Sequence, residues 1–174
     1  MLPFKRDFNA ARLNRVVNDP SVFPDVALPE QESLDLSPLA TDFRNIVLMC
    51  DEGGILAKFQ EPGVYEIHTQ FTEKYRGVSS MKTVREMFSW LFLHTPAMEL
   101  QSQVPGSNAG ALAVTKAIGA RFEFDRAEAW RTRDGKAHTV GYYVLRYSDW
   151  LYQPYAAGPL SGVGAAFHKD LEAR

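Results

Sequence analysis

Residues 64–92, VYEIHTQFTEKYRGVSSMKTVREMFSWLF, contain the transition that decides the fold. Val64 to Phe71 alternates apolar and polar residues, which predicts a strand. A polar loop, FTEKYRGVSS, follows, and apolar residues then recur at helical spacing from Met81 to His94. Ala97 to Val104 is the next predicted strand. A strand–helix–strand unit of this kind forms a right-handed parallel crossover.

The chain before this unit predicts an antiparallel meander. Asn45 to Cys50 and Ile55 to Gln60 are two predicted strands, joined by Asp51-Glu52-Gly53-Gly54. We expect the two glycines to adopt the positive φ values of a tight turn. Residues 7–18 predict a short amphipathic helix, and residues 19–44 a long connector. Such a connector is either a lid-like loop beside a substrate or a helix-poor tether.

The chain after the unit predicts a second helix and a hairpin. The helix begins at Asn108 and ends at Gly119, which is expected to be left-handed. Residues 121–133 and 137–147 are strands around the turn Asp134-Gly135. We therefore predict a mixed α/β (α+β) domain over residues 1–151, with a mostly antiparallel sheet, a central parallel pair and helices on both faces. Residues 152–174 are predicted to be a C-terminal arm.

Composition excludes several classes of protein. The 174 residues are 45% hydrophobic and 23% charged with a net charge of −2, which argues against disorder and a strongly basic nucleic-acid surface. The single Cys50 cannot form an internal disulfide and is interpreted as a small core residue. No segment is apolar over the ~20 residues of a membrane helix. No histidines have metal-ligand spacing, so we predict no metal site. The single cysteine fits a reducing compartment and residues 1–14 lack the apolar stretch of a secretory signal, so we predict a cytoplasmic protein.

The loop before the first long helix is a candidate anion site. A helix N-terminus offers unpaired N–H groups and a partial positive charge, which suit a phosphate. Lys74 and Arg76 would add cationic donors, Gly77 would permit close approach, and Ser79 and Ser80 could cap the helix or bond a phosphate oxygen. The alternative is an ordinary turn followed by an ordinary N-cap.

With these motifs in order, the sequence resembles the GNAT family of N-acetyltransferases. The resemblance rests on residues 64–92 and on ELQSQVPGSNAGALAVTKAIGARF, where Asn108, Ala111, Lys116 and Gly119 match the family pattern. It implies acetyl-CoA as donor and a central parallel pair whose strands splay apart. It also implies a set of cofactor-binding residues: Gln70, Phe71, Lys74, Arg76, Gly77, Val78, Ser79, Ser80 and Asn108.

Acetyl transfer to an amine requires a group that accepts the proton of the amine. Glu66, His68 and Gln70 share one face of a central strand, where a fully covered strand would be apolar. Glu66 is the first candidate base, His68 the second and Glu99 of the neighbouring strand the third. The alternative is that this face is merely solvated.

One departure from the family supports a rival interpretation. Where many members have a tyrosine that protonates the leaving thiolate, this chain has Thr115. The rival is a non-catalytic module of the same fold that binds CoA without turnover. The C-terminal aromatic residues are interpreted as core packing, together with either a wall of the acceptor cleft or a contact between copies in a homo-oligomer: Tyr142, Tyr143, Tyr147, Trp150, Tyr152 and Tyr155.

Overall fold

A single sheet of seven strands runs through the computed structural model, which describes residues 3–132 and 134–156. The strands are β1 (Lys5–Arg6), β2 (Ile46–Cys50), β3 (Gly53–Glu61), β4 (Val64–Phe71), β5 (Glu99–Pro105), β6 (Arg121–Arg131) and β7 (Ala137–Arg146). The helices are α1 (Ala10–Val17), α2 (Phe23–Val26), α3 (Ser37–Thr41), α4 (Val78–His94), α5 (Ala109–Ala117) and α6 (Tyr147–Trp150), with a 3₁₀ turn at Glu73–Tyr75.

The strand order in space is β1-β2-β3-β4-β5-β7-β6. Neighbouring strands are antiparallel except β4 and β5, which are parallel and are connected through α4. The predicted fold class is therefore confirmed, including the crossover and the central parallel pair. Strand β1 was not predicted, because its two residues are too few for a periodic pattern.

Helices cover both faces of the sheet. On one face α4 contributes a buried apolar stripe that packs on the central strands, and its most buried members are Met87 and Leu91. On the opposite face, α1 places Leu13, Val16 and Val17 against β2 and β3. The α1 cluster draws its strand residues from β2 and β3 and includes none from β5 or β7.

The connector at residues 19–44 is fixed to α1. Asn18 receives a hydrogen bond from the Leu34 amide (2.8 Å) and donates one to the Leu34 carbonyl (2.7 Å). Asn14 accepts from the amide of Leu36 (2.8 Å), and Leu34 and Leu36 pack against the α1 cluster. The tether interpretation is therefore wrong, because the connector is a packed part of the domain.

Gly53 and Gly54 are required for close packing rather than for turn geometry. Both lie in β3 and neither has a positive φ, so the predicted reason for these glycines is wrong. The turn itself consists of Asp51 and Glu52, since Cys50 pairs with Gly53. A Cβ on Gly53 would lie 2.3 Å from the Phe71 ring, and one on Gly54 would lie 2.2 Å from a main-chain oxygen of β2.

Gly54→Ala is expected to lower the free energy of unfolding by about 1–3 kcal/mol, because the backbone it would touch cannot move aside. Urea denaturation followed by circular dichroism measures the change. Gly106→Ala is the matched control, since its Cβ would meet its nearest atom at an ordinary 3.5 Å. Equal stability of the two variants would contradict this account.

The second half of the sheet ends in a long hairpin. Gly119 and Gly135 have φ values of +75° and +82°, which confirms a helix terminator and a hairpin turn at the predicted positions. β6 is the edge strand of the described sheet, nearly all of it is exposed, and its register with β7 shifts between Phe122 and Phe124 and between Arg126 and Trp130.

The C-terminal part of the described chain belongs to the domain. Trp150 is 1% exposed, and Ala156 is buried in the same cluster. The Tyr155 hydroxyl donates to the Ile118 carbonyl (2.7 Å). Residues 152–156 of the predicted arm therefore pack on the domain, and the rest of that arm, 157–174, lies outside the described residues. None of the described helices is long and apolar enough to cross a membrane.

Candidate functional site

The two parallel strands separate along their length. β4 and β5 are paired only from Val64 opposite Glu99 to Glu66 opposite Gln101. Beyond these positions β4 stays paired with β3 as far as Phe71, and β5 stays paired with β7 as far as Pro105. A gap therefore opens between them toward their carboxyl ends. The main-chain groups that face this gap are available to an extended ligand, as at an exposed sheet edge.

The N-terminus of α4 lies just beyond the end of β4. The first N–H groups of a helix have no partner within the helix, and here they belong to Val78, Ser79 and Ser80. No side chain caps them, and the N-cap residue Gly77 has φ +102° with open space where a Cβ would be. Main-chain donors with this access suit an anion. The hydroxyl of Ser80 donates to the Gly77 carbonyl (2.8 Å) and is engaged within the turn.

Arg76 is engaged by the protein itself. Its guanidinium donates to the carbonyls of Phe71 and Ser21 and lies 3.9 Å from the Asp25 carboxylate. Its amide donates to the Glu73 carbonyl (3.2 Å). This corrects the expectation that Arg76 contributes its amide and side chain to an anion. Its side chain instead joins the loop to the connector.

Lys74 is the exposed cation of the same loop. Its ammonium lies 5.4 Å from the centre of the Tyr75 ring, and it forms no ion pair within the described chain. Lys74 therefore keeps the predicted ability to approach a phosphate, whereas Arg76 does not.

Glu66 is the centre of a polar cluster on β4. Its carboxylate accepts hydrogen bonds from Gln60 Nε2 (2.9 Å) and Gln103 Nε2 (3.2 Å). Lys58 Nζ lies 3.7 Å and His68 Nε2 3.5 Å from its oxygens. Both oxygens of Glu66 are therefore engaged, and its contact with His68 suits it to orient the imidazole.

His68 is the next residue on this face after the last paired position of β4, and so it borders the gap. Burial lowers the pKa of His68 below its usual value, with Glu66 opposing this effect and Lys58 adding to it. The imidazole is consequently neutral at pH 7. A neutral imidazole has a lone pair that can accept a proton.

Glu99 lies at the opposite end of the parallel pair. It is paired with Val64, before the gap opens, and its carboxylate bonds Arg146 Nε at 2.9 Å. It also accepts from Gln101 Nε2 (2.8 Å). The structure therefore brings Glu66 and His68 together and leaves Glu99 in a structural ion pair, which corrects its candidacy as a base.

Two polar atoms at the end of β4 are buried without a partner among the described residues. They are Gln70 Oε1 and Thr72 Oγ1. Gln70 follows His68 on the same strand face, whereas the ring of Phe71 packs in the main core. Phe71 can therefore contribute only main-chain groups to the gap, as the strand-edge interpretation requires.

Solved structures that match this chain in fold include acetyltransferases. A GNAT-family acetyltransferase from Streptococcus pneumoniae matches with a TM-score of 0.69 and 15% identity, over 84% of this chain and 99% of its own. A spermidine N-acetyltransferase from Vibrio cholerae matches with a TM-score of 0.67 and 14% identity, over 86% of this chain and 96% of its own. This chain has the GNAT fold.

A further GNAT-fold neighbour was solved with coenzyme A. It is a ribosomal-protein α-N-acetyltransferase that matches with a TM-score of 0.53 and 15% identity, over 60% of this chain and 62% of its own. At these low identities the likeness shows a shared fold and nothing more. No family model matches the sequence, and no curated protein matches it in sequence.

Two further positions from the GNAT resemblance are occupied by internal contacts. Asn108 Oδ1 accepts from the Ala111 amide (2.9 Å) as the N-cap of α5, which leaves only its Nδ2 for a ligand. The hydroxyl of Thr115 is buried and donates to the Leu112 carbonyl (2.8 Å). Thr115 therefore cannot take the place of the family's tyrosine as a proton donor.

Lys58 and Gln60 are members of the polar cluster that sequence reasoning missed. The turn at Glu61-Pro62-Gly63 did not contain the necessary signal, because regular pairing outward from Glu61 opposite Val64 would place Lys58 opposite Ile67. A register shift between Phe59 and Glu61 brings Lys58 opposite Glu66 instead. No group of three or more potential metal ligands occurs within residues 3–132 and 134–156.

Proposed function

We propose that the protein is an N-acetyltransferase that transfers an acetyl group from acetyl-CoA to a primary amine by direct attack. The observation that carries this proposal is the separation of β4 from β5 immediately beside the uncapped N-terminus of α4. A gap with free strand edges suits a linear amide-containing arm, and the helix N-terminus suits its diphosphate.

The chain offers a distinct group for each part of the donor. The amides of Gly77, Val78, Ser79 and Ser80 would bind the diphosphate, with Lys74 as an additional cation. Main-chain groups of Gln70 and Phe71 would pair with the pantetheine arm, and Asn108 Nδ2 would contact it from α5. Acetyl-CoA supplies an acetyl group already activated as a thioester.

His68 is the proposed base. Its neutral imidazole would accept the proton of the incoming amine, directly or through a water molecule, and Glu66 would orient the ring and stabilise the imidazolium. Both are positioned by β4, whose pairing with β3 continues past them to Phe71. We also propose that the enzyme is cytoplasmic. A contact between copies of the protein at the C-terminal aromatic region is a separate proposal.

One observation favours the rival non-catalytic module. The internal hydrogen bond of Thr115 leaves the thiolate without the family's usual proton donor. The test is the release of free CoA thiol from acetyl-CoA in the presence of a panel of primary amines. Amine-dependent release supports the transferase, whereas saturable CoA binding without release on any amine would establish the rival.

Gly77→Ala is expected to raise the Kd for CoA by roughly tenfold or more. A Cβ at φ +102° strains the backbone and would project into the space that a diphosphate would occupy. Isothermal titration calorimetry with CoA measures the change. The matched control is Gly135→Ala, which also has a positive φ (+82°) and open space at the Cβ position but lies in the β6–β7 turn. Equal affinities of the two variants for CoA would refute the binding of the diphosphate at the N-terminus of α4.

A further inference from the structure

A stacked pair of aromatic rings is exposed on β6 and β7. The rings of Phe124 and Tyr142 lie 4.3 Å apart at an interplanar angle of 14°. The guanidinium of Arg126 lies over both, 5.0 Å from the centre of the Tyr142 ring and 5.7 Å from that of Phe124. Phe124 remains 46% exposed, so packing within the described chain does not account for this arrangement.

These rings lie on the same face of the sheet as the proposed base. Gln103 is paired with Tyr142, and Tyr142 with Phe124, so the three side chains point to one side. Gln103 also donates to Glu66 across the gap, which places Glu66 and therefore His68 on that side as well. The base and the aromatic pair thus share one continuous surface.

Arg126 is the unpaired cation of this surface. It forms no ion pair or hydrogen bond with any described residue, and its recorded contacts are the two rings. The other arginines of the same face are neutralised: Arg146 bonds two glutamates, and Arg121 lies 2.9 Å from Asp149. Arg146 with its two glutamates leaves one negative charge and Arg121 with Asp149 leaves none, so Arg126 is the arginine of this face, among the described residues, whose positive charge is available to a ligand.

A stacked guanidinium is suited to bind a carboxylate. Its planar N–H edge matches the two carboxylate oxygens, and the rings restrict its rotation, so that less side-chain entropy is lost on binding. Aromatic faces beside it can cover the apolar part of a ligand.

We propose that the acceptor is an amine that also carries a carboxylate, and that Arg126 binds this carboxylate. The inference rests on the proposed function, since His68 and the gap define where the amine lies. Strands are about 4.8 Å apart, and the guanidinium lies over one ring of β6 and one ring of β7, whereas the amine would lie above the gap between β4 and β5. One and a half to two and a half strand spacings separate the two places, which is about 7–12 Å. This distance fits an ω-amino carboxylate, such as the lysine side chain with its own carboxylate, and is too long for an α-amine.

The test is acetylation of a series of ω-amino carboxylates of increasing length, each compared with its uncharged carboxamide. The wild-type protein is expected to prefer the carboxylate at the longer spacings, and Arg126→Gln to raise KM for it by roughly 10- to 100-fold, as for a lost charge-assisted hydrogen bond. Arg126→Lys should recover part of the affinity, while kcat and the Kd for acetyl-CoA stay unchanged. Arg131→Gln, an exposed arginine of the same strand, is the control.

Failure of this inference differs from failure of the proposed function. If carboxylates and carboxamides are acetylated equally well by wild type and by Arg126→Gln, the acceptor site is not anionic, and the transferase stands. If no amine releases CoA, calorimetric titration of 6-aminohexanoate into the CoA-bound protein still decides the matter. Binding that Arg126→Gln abolishes supports the carboxylate site, and binding that is absent or indifferent to Arg126 overturns it.

Discussion

His68→Ala is expected to lower kcat for amine acetylation by roughly 10²- to 10⁴-fold, the range for loss of a general base. His68 borders the gap, and its lowered pKa keeps the imidazole neutral at pH 7, so it can take up a proton. The Kd for acetyl-CoA should not change, because His68 makes none of the proposed diphosphate and pantetheine contacts. Stopped-time assays of CoA release with calorimetric binding controls measure both quantities.

The pH dependence of the rate separates this role from a structural one. Because burial lowers the pKa of His68, the acidic limb of the kcat profile should fall below pH 6.5 and disappear in His68→Ala. Glu66→Gln should move this limb to still lower pH, since it removes the carboxylate that favours the imidazolium. His94→Ala changes an exposed histidine at the end of α4 and should leave the profile as it is. A wild-type acidic limb retained in His68→Ala would exclude His68 as the base.

Trp150→Ala is expected to lower the free energy of unfolding by about 3–5 kcal/mol, the usual range for a fully buried large aromatic residue. Its indole packs 5.3 Å from the Phe92 ring, centre to centre, and donates to Ser89 Oγ (3.2 Å), so it joins α6 to α4. For a chain of this length the melting temperature should fall by roughly 6–20 °C. Differential scanning calorimetry provides the measurement.

Two variants make this result interpretable. Trp150→Phe keeps most of the ring contact and loses the hydrogen bond to Ser89, so its loss should be smaller than that of the alanine variant. Phe43→Ala removes an aromatic side chain that is 86% exposed and should change stability by less than about 0.5 kcal/mol. Similar melting temperatures for Trp150→Ala and Phe43→Ala would show that α6 is not an anchor of the fold.

The elements with a clear period could be predicted from sequence. β4, α4, β5 and α5 were found because their apolar residues recur at spacing 2 or 3.6, and Asp134-Gly135 identified the last hairpin. β1 and the fixed position of the connector could not be found in this way. β1 is defined by its pairing with the distant strand β2. The connector depends on side-chain hydrogen bonds, such as those of Asn14 and Asn18, between residues about 20 positions apart.

The features of the candidate site that depend on strand alternation could be predicted from the sequence. Those that depend on the ion-pair and hydrogen-bond partners of each side chain could not. Alternation placed Glu66 and His68 on one face, but it gave no information about which acid would be ion-paired. Arg146 pairs with Glu99 through strand neighbours that the sequence does not specify. In the same way Arg76 looked like a phosphate ligand, yet two carbonyls of its own chain hold it.

The two ends of the sheet have a consequence for how copies of the protein can meet. A long unpaired strand normally offers a template to which another chain can add, and this leads to aggregation. Here β1 has only two residues, both basic, and β6 is interrupted by two register shifts and carries charges at six of its 11 positions. Intermolecular strand addition is therefore disfavoured at both margins, so that any self-association has to proceed through side-chain surfaces.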